Sequence, residues 1–348
     1  MNYVTLSPME SGEFITANAN DIKVDVDKCK EAAIMIMDSL VDGSIGDIEY
    51  KSNPLHPTGL THEEHLNWVF VLDTLNFSFW PSEGEHYDVT YKDKKETGYL
   101  ACCAAFCKAF DNGVRITDAN WMENVTMEEL DEILKSDSGH SIPLLFDRYR
   151  ALHESGAHLN QKFGGQFLNL VKKCEGKAQT MIRQIIMIES FRDFTMYKNK
   201  QVSLLKRVQI LVSDTWGLLK DGELKELVAF PDLDTLTMFA DYRVPQVLSY
   251  LGCLEYSEKL LEVLQTSQLL KYGDTREVEL RGCSIYAVNE IYKEVCRLRK
   301  DNYNGIDFSD KRPIFAIDID VWLWQFRREH AEDVEALVPY HRTRSIYY

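Results

Sequence analysis

The sequence predicts a mainly α-helical fold with at most a small β-hairpin, and three observations carry that expectation. Apolar residues recur at helical spacing in most segments, as in the stretch CKEAAIMIMDSLV near the N-terminus. Alternating apolar and polar runs long enough for a strand are scarce. No Pro/Gly/Ser-rich linker or low-complexity tract divides the 348 residues, so one compact helical domain over 1–348 is expected, with room for two lobes.

The elements follow in order. NWVFVLDTLNFSFW (67–80) reads as a buried helix running up to Pro81, with Asp73 and Asn76 three apart on one face. Residues 86–93 and the small-residue stretch GYLACCAAFCKAF suggest a short strand or hairpin leading into a helix, ended by Asn112-Gly113. TMEELDEILKS places Thr126 as an N-cap with Glu129 three residues on, the capping-box pattern. Phe163-Gly164-Gly165 reads as a tight turn rather than a phosphate loop. SLLKRVQILVSDTWGLL (203–219) aligns Leu204, Val208, Leu211 and Val212 on one stripe, with Lys206 and Arg207 to its side.

Downstream, 234–240 reads as a short helix, Val244 as extended because Pro245 follows it, and 245–251 as a second helix ending at Gly252. Ser257 caps a third helix over 257–270. This makes 234–252 a helical hairpin with Asp241 in its turn. Residues 283–299 form a further amphipathic helix, and IFAIDIDVWLWQF (314–326) a helix in which Asp318 and Asp320 interrupt apolar and aromatic residues. A carboxylate in such company must find a donor, a charge partner or a raised pKa.

Composition narrows the function. The chain holds 55 acidic against 39 basic residues, a net charge of −16, whereas a nucleic-acid polymer demands a basic face. One segment departs from that balance: between Lys172 and Arg207 stand nine Lys/Arg and three acids. It is either a solvated face or a dock for a small anion such as a phosphomonoester. No secretory signal and no apolar run of about 20 residues suggests a membrane segment, so a cytoplasmic or nuclear location is expected. The eight cysteines lack CxxC spacing and read as reduced, mostly buried thiols. His62-Glu-Glu-His65 lacks the spacing of a zinc helix, and neither metal nor cofactor is expected.

Two carboxylates, Asp241 and Asp320, remain embedded among aromatic and apolar residues. Such a pair suits glycoside cleavage, because a buried anion stabilises the oxocarbenium-like charge of the transition state. Phe239 and Tyr242 would stack a flat base. Helix caps and core networks produce the same pattern, so the residues alone also allow a helical interaction module or a DNA-repair glycosylase.

TMFADYRVPQVLSYLG, together with VLDTLNFSFW, KFGGQFLN, QILVSDTWGLL, YGDTREVELRGCS and HRTRSIYY, resembles the queuosine salvage protein family, the queuosine 5′-phosphate N-glycosylases. The resemblance runs from SPMESGEFITANANDI to Tyr348. It implies a helical fold related to helix-hairpin-helix DNA glycosylases. It also implies hydrolysis of queuosine 5′-monophosphate to queuine and ribose 5-phosphate. A monomer is expected, with neither a nucleic-acid polymer nor a membrane as partner. Phe239, Asp241 and Asp320 map onto the queuine pocket, between the 234–252 hairpin and the 314–326 helix. Asp241 then stabilises the ribosyl cation and aims a water, and Asp320 binds the base or its cationic arm, with the two roles exchangeable. Val321 and Gln325 stand where the family pattern has an aromatic and an acid. Lys206 and Arg207 are phosphate contacts by charge logic, and Asp318 has no assigned role.

Overall fold

The computed structural model describes residues 5–43 and 54–348, which are mainly helical with three two-stranded antiparallel sheets. The chain divides into two compact units, Met1–Asp47 with Asp193–Gln209 and Asp232–Arg344, and Ile48–Arg192 with Ile210–Pro231 and Ser345–Tyr348.

The first unit opens with α1 (Pro8–Thr16), where the Ser7 hydroxyl accepts the Glu10 N–H and the Glu10 carboxylate accepts the Ser7 N–H. β1 (Ile22–Val24) leads into α2 (Val26–Val41), capped by Asp25.

In the second unit α3 (His62–Thr74) stops well short of Pro81. The backbone beyond it turns its carbonyls elsewhere: the buried Arg148 guanidinium donates to the carbonyls of Leu75, Phe77 and Ser78. The Ser78 N–H donates to the Tyr348 carbonyl at 2.9 Å. Asp73 and Asn76 therefore share no helical face, because Asn76 lies past the end. The expected hairpin forms from β2 (Asp88–Tyr91) and β3 (Lys94–Thr97), and α4 (Tyr99–Asp111) follows it, stopped at Asn112 with Gly113 at φ +86°. After α5 (Ala119–Asn124), Thr126 caps α6 (Met127–Leu134) by accepting the Glu129 N–H. The Glu129 carboxylate accepts the Trp121 indole N–H at 3.0 Å, so it serves a neighbouring helix. α7 (Leu145–Phe163), α8 (Phe167–Lys173) and α9 (Ala178–Ile185) complete this stretch, and Gly164 and Gly165 make the turn between α7 and α8 with left-handed φ. Asn67 of α3 closes that turn, donating to the Thr117 and Gly165 carbonyls and accepting the Phe167 N–H.

The chain returns to the first unit through a second hairpin, β4 (Phe194–Tyr197) and β5 (Lys200–Ser203), which the sequence pattern did not signal. α10 (Lys206–Leu219) starts there, and its residues from Ile210 onward belong to the second unit. The segment 234–240, read from sequence as helix, holds only a 3-10 turn at Leu233–Thr235 and then runs irregularly. α11 (Val244–Tyr250) includes Val244, the residue expected to be extended, with Pro245 in its first turn where a missing N–H costs nothing. β6 (Leu254–Tyr256) pairs with β1, and α12 (Glu258–Gln265) begins at its Ser257 cap but ends earlier than 270. α13 (Thr275–Lys300), α14 (Ala316–Glu329) and α15 (Ala331–Leu337) close the unit.

α13 is the axis of this unit and packs against α1, α2, α11 and α14. Its approach to α1 is close: a Cβ on Gly282 would lie 2.4 Å from the Ile15 side chain, and one on Gly12 would lie 2.8 Å from Ile285. All eight cysteines are free thiols, seven of them buried. Among the described residues no helix is long and apolar enough to cross a membrane.

Candidate active site

The segment Thr237–Arg243 is buried and irregular for most of its length, so its backbone groups need partners that a helix or sheet does not supply. Side chains supply them, residue by residue. The Thr237 N–H donates to Gln209 Oε1 at 2.8 Å, and Gln209 Nε2 returns a bond to Thr237 Oγ1 at 2.9 Å. The Phe239 N–H donates to Asp320 Oδ1 at 2.8 Å. The Ala240 carbonyl accepts Arg281 Nε–H at 2.8 Å. Asp241 Oδ1 accepts the N–H groups of Arg243 and Val244, both at 2.8 Å, and so caps α11.

The two carboxylates are thereby tied to one segment in the same way. Each has Oδ1 pinned by backbone N–H groups, and among the described residues no donor reaches Oδ2 of either. Asp320 is 6% exposed and Asp241 half-buried. Burial first, and the Asp241 charge second, push the Asp320 carboxyl well above the usual carboxylate range, while the Phe239 N–H and the Lys206 charge pull it back. One oxygen of each group is thus committed to structure and the other is available for chemistry. Capping does not rule out ligand contact by Asp241, because the cap uses Oδ1 alone.

Phe239, Asp241, Asp320 and Lys206 are therefore linked by hydrogen bonds or by charge. Lys206 and Arg207 are both buried, which removes the reading of these two residues as a solvated basic face. As consecutive residues of α10 they point about 100° apart. Tyr242 is half-buried, with its ring centroid 5.6 Å from that of Tyr340 and the Arg243 guanidinium 5.4 Å from it. Val321 and Gln325, half-buried on α14, share a flank of the helix turned about 100–140° from Asp320. Asp318 accepts the Phe315 N–H at 2.7 Å and pairs with Arg312 at 2.7 Å, so its work is to fix the start of α14. Sequence reasoning missed Arg281, although it lies inside the quoted YGDTREVELRGCS; no local pattern says that its guanidinium reaches a carbonyl 41 positions away.

Fold and site together define a mainly helical protein in which a buried carboxylate, Asp320, and a half-buried one, Asp241, are coupled by charge. The family model described as queuosine salvage protein matches residues 55–348. Curated relatives named queuosine 5′-phosphate N-glycosylase/hydrolase match over all or most of the chain. The protein from Bos taurus is 41% identical over 99% of both chains. That from Schizosaccharomyces pombe is 34% identical over 98% of this chain and 99% of its own. The bacterial one from Sphaerobacter thermophilus is 35% identical over 82% of each. The chain belongs to the queuosine salvage protein family.

Proposed function

We propose that the protein hydrolyses the N-glycosidic bond of queuosine 5′-phosphate, releasing queuine and ribose 5-phosphate. The observation that carries this reading is the Asp241–Asp320 pair, each with one oxygen held by backbone N–H groups, in a chain similar over its length to relatives named for that reaction.

Queuine is a 7-deazaguanine and lacks the N7 that purine-cleaving enzymes protonate. The barrier must then be lowered at the sugar and at other atoms of the base. Asp241 Oδ2 stabilises the positive charge that develops at C1′ and orients a water toward it. As the C1′–N9 bond breaks, its electron pair goes to the base and the water oxygen joins C1′. The water's proton passes to Asp241 and then to solvent, and the departing base takes a proton from solvent at N9, so one water is consumed overall. Asp320, held toward its neutral form by burial and by the Asp241 charge, donates a hydrogen bond from Oδ2 to an acceptor on the base and helps the leaving group carry charge. Phe239 and Tyr242 pack the base, and Val321 and Gln325 flank its substituent arm. Lys206 and Arg207 are the candidate partners of the 5′-phosphate. A relation to helix-hairpin-helix DNA glycosylases and action as a monomer are part of the same reading.

Incubation of the protein with queuosine 5′-phosphate, with queuosine and with duplex DNA carrying a damaged base tests it by chromatography. Queuine release from the nucleotide is expected. An intact nucleotide, or base release from DNA instead, overturns the reading.

A further inference from the structure

Arg281 is fully buried on α13, and its guanidinium spends its donors in three directions. Nε–H donates to the Ala240 carbonyl at 2.8 Å, and the two Nη groups pair with Asp193 and with Glu277. Both acids are themselves held. The Tyr272 hydroxyl donates to Asp193 Oδ1 at 3.0 Å, and the Gly273 N–H donates to Glu277 Oε2 at 2.9 Å. His341, also buried, has its pKa pushed down to about 3 by burial and by the Arg281 charge, so it adds no second cation beside the guanidinium. A planar guanidinium with fixed donor directions, clamped by two anchored carboxylates, fixes the position of whatever its third edge contacts.

That edge contacts the peptide between the two residues that matter. The Ala240 carbonyl lies one residue after the Phe239 N–H that binds Asp320 and one residue before Asp241, which caps α11. We infer that Arg281 is a positioning residue for the carboxylate pair: its bond to the Ala240 carbonyl sets the Phe239–Asp241 backbone so that Asp320 and Asp241 present their second oxygens in register. It touches neither carboxylate, and the charges felt by Asp320 are those of Asp241 and Lys206. Its effect runs through the Phe239 N–H, which holds the Asp320 carboxyl down.

The inference rests on the glycosidase reading, and its test separates the two. Wild-type release of queuine from queuosine 5′-phosphate is the control; without it the glycosidase reading fails and Arg281 has nothing to position. Given that activity, Arg281→Lys keeps a buried cation but cannot hold two acids and the carbonyl at once. Its kcat is expected to fall about tenfold to a hundredfold, the scale of a small misplacement, with KM changed less. The limb of the pH–rate profile that belongs to Asp320 is expected to move to higher pH, because a loosened Phe239 N–H no longer pulls that carboxyl down. Val288→Ala, which opens a cavity at a fully buried position of α13 and leaves every bond of Arg281 in place, is expected to lower the melting temperature while retaining most of kcat. A wild-type kcat and pH profile in Arg281→Lys overturns the inference. So does an equal loss of kcat in Val288→Ala, which would make the effect one of general stability. Should Arg281→Lys fail to fold, Asp193→Asn serves in its place, with an intermediate loss of kcat and the same upward move of the limb expected, and an unmoved limb contradicting.

Discussion

The backbone N–H of Phe239 donates to Asp320 Oδ1 at 2.8 Å, joining an irregular segment to a helix that starts 77 residues later in the chain. This bond satisfies a buried amide and at the same time settles which oxygen of Asp320 stays available. It also opposes burial, favouring the charged carboxylate where desolvation and Asp241 favour the neutral acid.

Asp320 should therefore weaken the fold as pH rises. Its folded-state pKa is raised, so the native protein holds the proton more tightly than the unfolded chain. That contribution is complete below the ordinary carboxylate value and is lost as pH rises through the raised value, at about 1.4 kcal/mol for each pH unit that separates the two values. Asp320→Asn keeps an acceptor for the Phe239 N–H and removes the titration. It is expected to melt a few degrees above the wild type at pH 8 and to approach it only below about pH 4, while base release falls sharply. Parallel melting curves at all pH values would contradict the assignment.

Lys206 faces the same carboxyl, and its charge lowers the Asp320 pKa. Lys206→Met should shift the Asp320 limb of the pH–rate profile upward on any substrate. If Lys206 also meets the phosphate, the variant should lose more on queuosine 5′-phosphate than on queuosine. A charge-assisted hydrogen bond contributes about 1.5–3 kcal/mol, so wild-type kcat/KM should drop at least tenfold when the phosphate is removed. Steady-state kinetics on both substrates checks both statements, and equal rates on the two remove Lys206 and Arg207 from the phosphate.

In the second unit, Arg148 is buried and serves the carbonyls of Leu75, Phe77 and Ser78, with the rings of Phe77 and Phe79 at 4.3 and 4.9 Å from its guanidinium carbon. Arg148→Met leaves those carbonyls without their donor. A loss of about 3 kcal/mol or more in urea unfolding is expected; a loss below about 1 kcal/mol would mean the segment finds other donors.

These two arginines also explain where the sequence misled. Helical spacing located the helices wherever local periodicity and caps decide the outcome, as at Thr126, Ser257 and Asn112-Gly113. It failed at 75–80 and at 236–240, where apolar residues at helical spacing are instead drawn into irregular backbone by a buried side chain from far along the chain. Val244 defied the rule for residues before proline because Asp241 accepts its N–H and holds it in the first turn of α11. The carboxylates were legible because buried acids among aromatics are rare. Their partners were not, since Gln209, Arg281 and the Phe239 amide carry no signature until the fold brings them together.

The most direct measurement is base release by wild type and Asp241→Asn side by side on queuosine 5′-phosphate, with melting temperatures recorded for both. Asparagine can still cap α11 but carries no charge toward C1′. Queuine is expected from the wild type and none above background from a variant that melts within a few degrees of it; turnover by Asp241→Asn at the wild-type rate would contradict the role given to this carboxylate.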